Sequence, residues 1–199
     1  MLNIKSVVSL CAVAGLTACG AGVGGEADLA TQESALVTGT SQGCTFTVSS
    51  AARTGTVPPI YDVTVTRAAD ATCAFGADSV VVGSSTGTAP TLSLAANDLG
   101  VAVSYTYKTS VSGSSPQSLG LRHVAPDTMA IVRSTGLSIF LGSGSIYSGS
   151  LSIASNGTTL TVSGTKSGTI SGQTGSGNNY VASYADFFTS TTSPSVFTF

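Results

Sequence analysis

Charge is the scarcest property of this 199-residue chain. Asp, Glu, Lys and Arg make up only 8 % of it, against about a quarter in typical soluble domains. The formal net charge is −2 at pH 7, and no cluster of basic residues interrupts the sequence. Because nucleic-acid phosphates must be matched by Lys and Arg, we expect no nucleic-acid partner.

Histidine is almost absent, since His123 is the only one. Metal sites built on two histidines are therefore excluded, and a catalytic triad or a zinc site would have to use this residue. The Asp residues stand apart, without the closely spaced D-x-D pattern of a calcium loop. From these absences we expect neither a metal ion nor a cofactor.

Serine, threonine and glycine take the place of charged residues. Such a composition can indicate disorder, but disordered chains are also poor in β-branched and aromatic residues. Here Val, Ile, Leu, Tyr and Phe recur at every second position over many short stretches. That period is typical of strands with one buried face, so the composition predicts a folded, all-β domain.

The N-terminus has the three parts of an export signal. A start with one positive charge, Lys5, precedes an apolar run over residues 7–16, and small residues follow up to Cys19. Roughly ten apolar residues are too few to cross a bilayer of about 30 Å, which needs about 20. The run therefore indicates a signal peptide rather than a transmembrane helix.

Leu16-Thr17-Ala18-Cys19 resembles the lipobox of bacterial lipoproteins. The resemblance implies cleavage between Ala18 and Cys19 and attachment of acyl chains, palmitate among them, to Cys19. Two or three chains make a lasting anchor where one holds only marginally. Gly20 after the cysteine would, by the same resemblance, direct the protein to the outer membrane. The alternative is an ordinary signal peptide cut after Ala18, with Cys19 incidental.

Three segments follow from this interpretation. Residues 1–18 form a cleaved signal peptide, residues 19–42 a lipidated cysteine with a flexible tether, and residues 43–199 an all-β domain. Cys44 and Cys73 remain in the domain, and in an exported protein such a pair predicts a disulfide. A two-cysteine metal site is the rival, but no further His or Cys lies near in sequence to complete it.

The strand pattern predicts antiparallel pairing throughout, because the connections are too short for parallel crossovers. The clearest strand covers 101–108, where Val101, Val103 and Tyr105 alternate with smaller residues. About eleven short strands are expected, arranged as a β-sandwich, with a closed meander β-barrel as the alternative.

The best-specified local pairing is a hairpin around Asn156-Gly157, a dipeptide suited to a two-residue type I′ turn. This turn would place Ile153 opposite Leu160 and Leu151 opposite Val162. A slip of one residue would bury hydroxyls instead, so the register is well specified.

Two short motifs carry possible nucleophiles. Gly83 to Gly87 fits G-x-S-x-G with Ser85 at its centre, and Ser163 to Lys166 fits S-x-x-K. Both motifs function at the start of a helix, whereas strands surround them here. A serine hydrolase using Ser85 and His123 is kept as an alternative function.

The sequence as a whole predicts a lipid-anchored protein of the bacterial cell envelope whose β-domain is non-catalytic and serves binding or surface interaction. An uncharged hydroxyl surface suits a glycan or another envelope protein as partner. Tyr147, Tyr180 and Tyr184 are candidates for stacking on sugar rings. A β-barrel that carries an apolar ligand is a further alternative.

Overall fold

The computed structural model describes residues 37–199, and within this range the chain is all-β, as predicted. No helix in it is long and apolar enough to cross a membrane. The predicted signal peptide, the cleavage site at Ala18 and Cys19, and the lipidation of Cys19 lie outside the described residues.

Fourteen strands make up the described part of the chain, three more than the alternation predicts. They are β1 (Val37–Ser41), β2 (Cys44–Ala52), β3 (Ile60–Arg67), β4 (Asp78–Thr86), β5 (Leu92–Asn97), β6 (Gly100–Tyr107), β7 (Ser118–Val124), β8 (Ile131–Leu137), β9 (Ile139–Ile146), β10 (Ser150–Ile153), β11 (Leu160–Ile170), β12 (Gln173–Gly175), β13 (Asn179–Tyr184) and β14 (Ser195–Thr198).

The strands form three sheets. Strands β1 to β4 pair in sequence order as the first sheet, and β5 to β8 do so as the second. The third sheet has the order β10-β11-β13-β14-β12, with β9 also paired to β11. All these pairs are antiparallel except β12 with β14. The sandwich therefore has three layers, with the second sheet in the middle.

Strand β6 shows why the middle layer is buried on both faces. Val101, Val103 and Tyr105 pack into a core shared with the first sheet. On the opposite face Ala102 packs into a core shared with the third sheet, and the buried Ser104 hydroxyl donates to Gly149 O at 2.5 Å. Small residues on that face allow the third sheet to approach closely, and the hydrogen bond offsets the cost of burying a hydroxyl.

The domain begins earlier than position 43, which corrects the predicted boundary of the tether. Strand β1 covers residues 37–41 and pairs with β2, with Val37 opposite Val48 and Ser41 opposite Cys44. The connecting residues Gln42 and Gly43 both have positive φ, 48° and 76°, as a two-residue hairpin turn requires. Small residues in β1 concealed this strand, because alternation of Gly, Ser and Thr gives little hydrophobic signal.

The predicted register of the β10–β11 hairpin is confirmed, with Leu151 opposite Val162 and Ile153 opposite Leu160. The predicted two-residue turn is wrong. Ala154 N donates to Thr159 O at 2.9 Å, which leaves a four-residue loop over 155–158. The Asn156 side chain accepts from the backbone N–H groups that follow it, so an Asx-type turn is formed instead.

The Cys44–Cys73 disulfide is present, with a sequence separation of 29. Cys44 lies at the start of β2 and is fully buried, as its place on the apolar face of the strand predicts. The bridge ties β2 to the loop between β3 and β4.

Three arginines join neighbouring layers or loops through backbone carbonyl groups rather than carboxylates. Arg67 donates to carbonyls of the β7–β8 turn, and Arg122 donates from β7 to Val82 O of β4. Arg133 donates to the carbonyls of Phe187, Ser190 and Thr192. Within residues 37–199 the one ion pair is Arg53–Asp62. Three of the four arginines within residues 37–199 thus join separate parts of the fold through hydrogen bonds.

Candidate functional site

Ser85 and His123 do not meet. Ser85 lies inside β4, not on a strand-to-helix turn, and its Oγ accepts a hydrogen bond from Lys108 N at 3.2 Å. His123 is paired with Ala102, six residues back along β6 from Lys108. At about 3.3 Å per residue the two sites are separated by roughly 20 Å. The geometry assembles no nucleophile–base pair from these two residues.

Ser163 and Lys166 lie on opposite faces of β11. Ser163 is exposed, whereas Lys166 is 3 % exposed and its Nζ donates to Gly168 O at 2.6 Å. The S-x-x-K pattern therefore has no catalytic geometry in this structure.

His123 lies instead in an aromatic cage at the edge of the core. The rings of Phe188 and Phe187 are 5.1 Å and 6.1 Å from its own, and its Nε2 has no hydrogen-bond partner within residues 37–199. Burial lowers the pKa of His123; the Leu99 backbone offsets part of this, and the charge of Arg133 adds to it. The neutral imidazole is the form that suits this cage.

The fold is therefore expected to lose stability as the pH falls below about 6.5, the ordinary histidine value. The unfolded chain binds a proton there that the folded chain resists, so stability is fully present above that pH and decreases toward the lower, folded-state pKa. Urea unfolding at several pH values between 5 and 7.5 measures this slope.

Because His123 is the only histidine, a His123→Leu variant is the matched control. Its stability should vary much less over the same range. A slope that is equally steep in the variant would show that another group is responsible.

A cleft of about 240 Å³ lies on the second sheet between β6, β7 and β8. Its wall includes Arg122, Thr135 and Ser138, which do not suit an apolar ligand. The Arg122 guanidinium is already engaged by Val82 O and by Tyr105 Oη, the latter at 2.6 Å. The cleft thus offers few free groups for recognition.

The outer face of the third sheet carries the exposed aromatic residues. The chain has seven Phe and six Tyr, all within residues 37–199. Just four of them are largely exposed, between 51 % and 58 %, and all four belong to this sheet: Phe140, Tyr147, Phe197 and Phe199. We call this surface the aromatic face. Its rings are concentrated on one side of the molecule rather than scattered.

Phe197 and Phe199 form its best-defined element. They are two residues apart at β14 and point outward, while Val196 and Thr198 between and beside them are buried. The two rings stack with centroids 6.0 Å apart and planes inclined by 21°. Because aromatic pairs at this distance attract each other, the two rings form a preorganised apolar platform.

A row of side chains crosses the sheet from Tyr147 to Phe199. Tyr147 N donates to Thr165 O, Thr165 is paired with Asn179, and Asn179 and Phe199 exchange both backbone hydrogen bonds. Three steps between adjacent strands make the row about 14 Å wide. A hydroxyl and an amide thus lie between aromatic rings at its two ends.

The aromatic face carries no charged side chain. Residues 134–199 contain only two ionisable residues with a charge at neutral pH, Lys166 and Asp186. Lys166 points inward, and Asp186 lies in the loop after β13. The side chains of this surface are therefore uncharged.

Of the three tyrosines proposed for ring stacking, only Tyr147 is exposed. Tyr180 is buried and its hydroxyl donates to Ser148 O at 2.6 Å. Tyr184 is also buried, and burial raises its pKa to about 12. The sequence did not suggest Phe197 and Phe199 as binding residues, although their spacing of two residues in a β-pattern places both on one face.

Within residues 37–199 no three His, Cys, Asp or Glu side chains lie close enough to share a metal ion. Comparisons of the chain with protein families, with curated proteins and with solved structures find no match. The fold and the aromatic face define an all-β protein with an aromatic surface that lacks charged side chains, and function must be argued from that surface.

Proposed function

We propose that this chain is a lipid-anchored protein of the bacterial cell envelope whose β-domain binds a partner through the aromatic face and performs no catalysis. The anchor is Cys19, by its resemblance to the lipobox cysteine, after cleavage behind Ala18. The outer membrane is the proposed location.

The main evidence for a binding role is the concentration of exposed rings on one sheet face without charged side chains. Soluble domains seldom leave large apolar side chains together in solvent without a use for them. The stacked pair Phe197–Phe199 is held by β14 in the sheet, so binding would cost little further ordering.

Four full-length chains test this proposal: the unaltered chain, Cys19→Ser, Phe197→Ser/Phe199→Ser, and all three substitutions together. Palmitate should label the first and third and be absent from the two chains that lack Cys19. In the Cys19→Ser chain, cosedimentation with purified envelope fragments should persist through the aromatic face, and the triple variant should lose it.

The experiment tests the lipid anchor and the binding role of the aromatic face separately. Labelling that persists in Cys19→Ser would overturn the anchor. Equal sedimentation of the Cys19→Ser chain and the triple variant, or sedimentation of neither, would overturn the binding role of the aromatic face.

A further inference from the structure

We propose that the ligand of the aromatic face is a neutral polysaccharide chain lying across strands β9, β11, β13 and β14. Tyr147 and the Phe197–Phe199 pair would stack on sugar rings at the two ends of the row, and Thr165 and Asn179 would hydrogen-bond to sugar hydroxyls between them. This inference rests on the proposed function and names the chemistry of its partner.

The arrangement of aromatic rings and polar groups matches the flat sides and the edges of sugar rings. Pyranose rings present C–H groups on their flat sides, which pack on aromatic rings, and hydroxyls around their edges, which need polar partners. Tyr147 lies about 14 Å from Phe199 across three strand steps. A chain of several sugars is needed to reach both, so a monosaccharide should bind poorly.

The polar groups between the rings belong to exposed residues. Thr165 and Asn179 are exposed and directly opposite each other on β11 and β13. On the neighbouring row the exposed Ser163 lies opposite Val181, which in turn lies opposite Phe197. Neutral hydroxyl and amide groups can both donate and accept, as sugar hydroxyls do.

The absence of Lys and Arg side chains on the aromatic face disfavours anionic partners. An acidic polysaccharide would lay carboxylates on a surface without Lys or Arg to receive them, which costs desolvation without compensation. An anionic membrane surface has the same disadvantage. The row from Tyr147 to Phe199 places a hydroxyl and an amide, rather than aliphatic side chains, between its rings, which favours a glycan over a bilayer.

The test uses the full chain with Cys19→Ser, which has no thiol at position 19 to carry an acyl chain. Its migration is measured in native gels containing neutral polysaccharides (mixed-linkage glucan, mannan and xylan) or acidic ones (alginate and polygalacturonate). We expect retardation by at least one neutral polymer and none by the acidic ones. Adding Phe197→Ser/Phe199→Ser should weaken the apparent affinity about tenfold or more, which corresponds to about 1.4 kcal/mol.

Two matched variants separate stacking from general loss of apolar surface. Phe197→Tyr/Phe199→Tyr keeps both rings and should retain binding. Val132→Ser removes a side chain on β8 that is 57 % exposed, like the phenylalanines, but lies on another sheet, and it should also retain binding. Circular dichroism confirms that each variant is folded.

The same measurements would reveal a different partner of the aromatic face. Binding to the acidic polymers alone, or to phosphatidylcholine vesicles but not to glycans, would overturn the inference. So would concentration-dependent dimerisation that Phe197→Ser/Phe199→Ser abolishes while no neutral polymer binds. If envelope fragments are bound through the aromatic face yet every neutral polymer fails, the ligand class is wrong while the proposed function stands.

Discussion

Replacing Arg67 by methionine is expected to lower the free energy of unfolding by about 3–5 kcal/mol. Arg67 is 5 % exposed, and its guanidinium donates to Pro126 O at 2.6 Å and to Asp127 O and Gly76 O at 2.7 Å each. Methionine keeps much of the apolar stem but leaves these carbonyls without a donor. Urea unfolding followed by circular dichroism measures the loss, since the chain has no tryptophan for fluorescence.

Arg53→Met, directly after the neighbouring strand β2, is the matched control. Arg53 forms an exposed bidentate pair with Asp62, at 2.7 Å for each bond, and exposed ion pairs contribute little to stability. The unfolding midpoint of this variant should stay close to that of the parent chain. If both variants were destabilised equally, the hydrogen bonds from Arg67 to backbone carbonyls would not be the cause of the destabilisation.

Removal of the Cys44–Cys73 disulfide is the second large effect. A bridge that spans 29 residues is expected to stabilise the fold by about 3–4 kcal/mol in the chain-entropy model. The double variant Cys44→Ala/Cys73→Ala, made in the Cys19→Ser chain, should unfold at correspondingly lower urea. Alanine avoids placing a hydroxyl at the fully buried position of Cys44.

Reductant provides the control for this experiment. It should destabilise the parent chain and leave the alanine variant unchanged, because no bridge remains to be opened. A non-reducing gel should show the parent migrating faster than its reduced form. A parent chain whose unfolding midpoint is insensitive to reductant while its gel mobility changes would refute a stabilising role.

Much of the fold could be predicted because strand structure leaves a local signal. Alternation identified β6 and its two faces, and the apolar pairs Leu151–Val162 and Ile153–Leu160 specified the register of the β10–β11 hairpin. The position of Cys44 on an apolar face also predicted the disulfide. The turn of the hairpin was predicted wrongly, because Asn156 hydrogen-bonds the following backbone in preference to adopting a positive φ.

The candidate site was harder to predict, because alternation cannot say which face of a strand meets solvent. At β14 the pattern pairs Phe197 with Phe199 on one face and Val196 with Thr198 on the other, and hydrophobicity alone favours burial of the rings. The structure buries Val196 and Thr198. Likewise Ser104 on β6 suggests a solvated face, yet the third sheet covers it.

By itself, then, the sequence determined the all-β class, the disulfide pair, one hairpin register and the scarcity of charge, because these depend on composition and on neighbours along the chain. The tertiary structure alone decided that there are three layers, that Ser85 and His123 stay apart, and that four aromatic rings share one exposed face. Those features depend on which sheet covers which, and residues distant in the chain settle that by packing against each other.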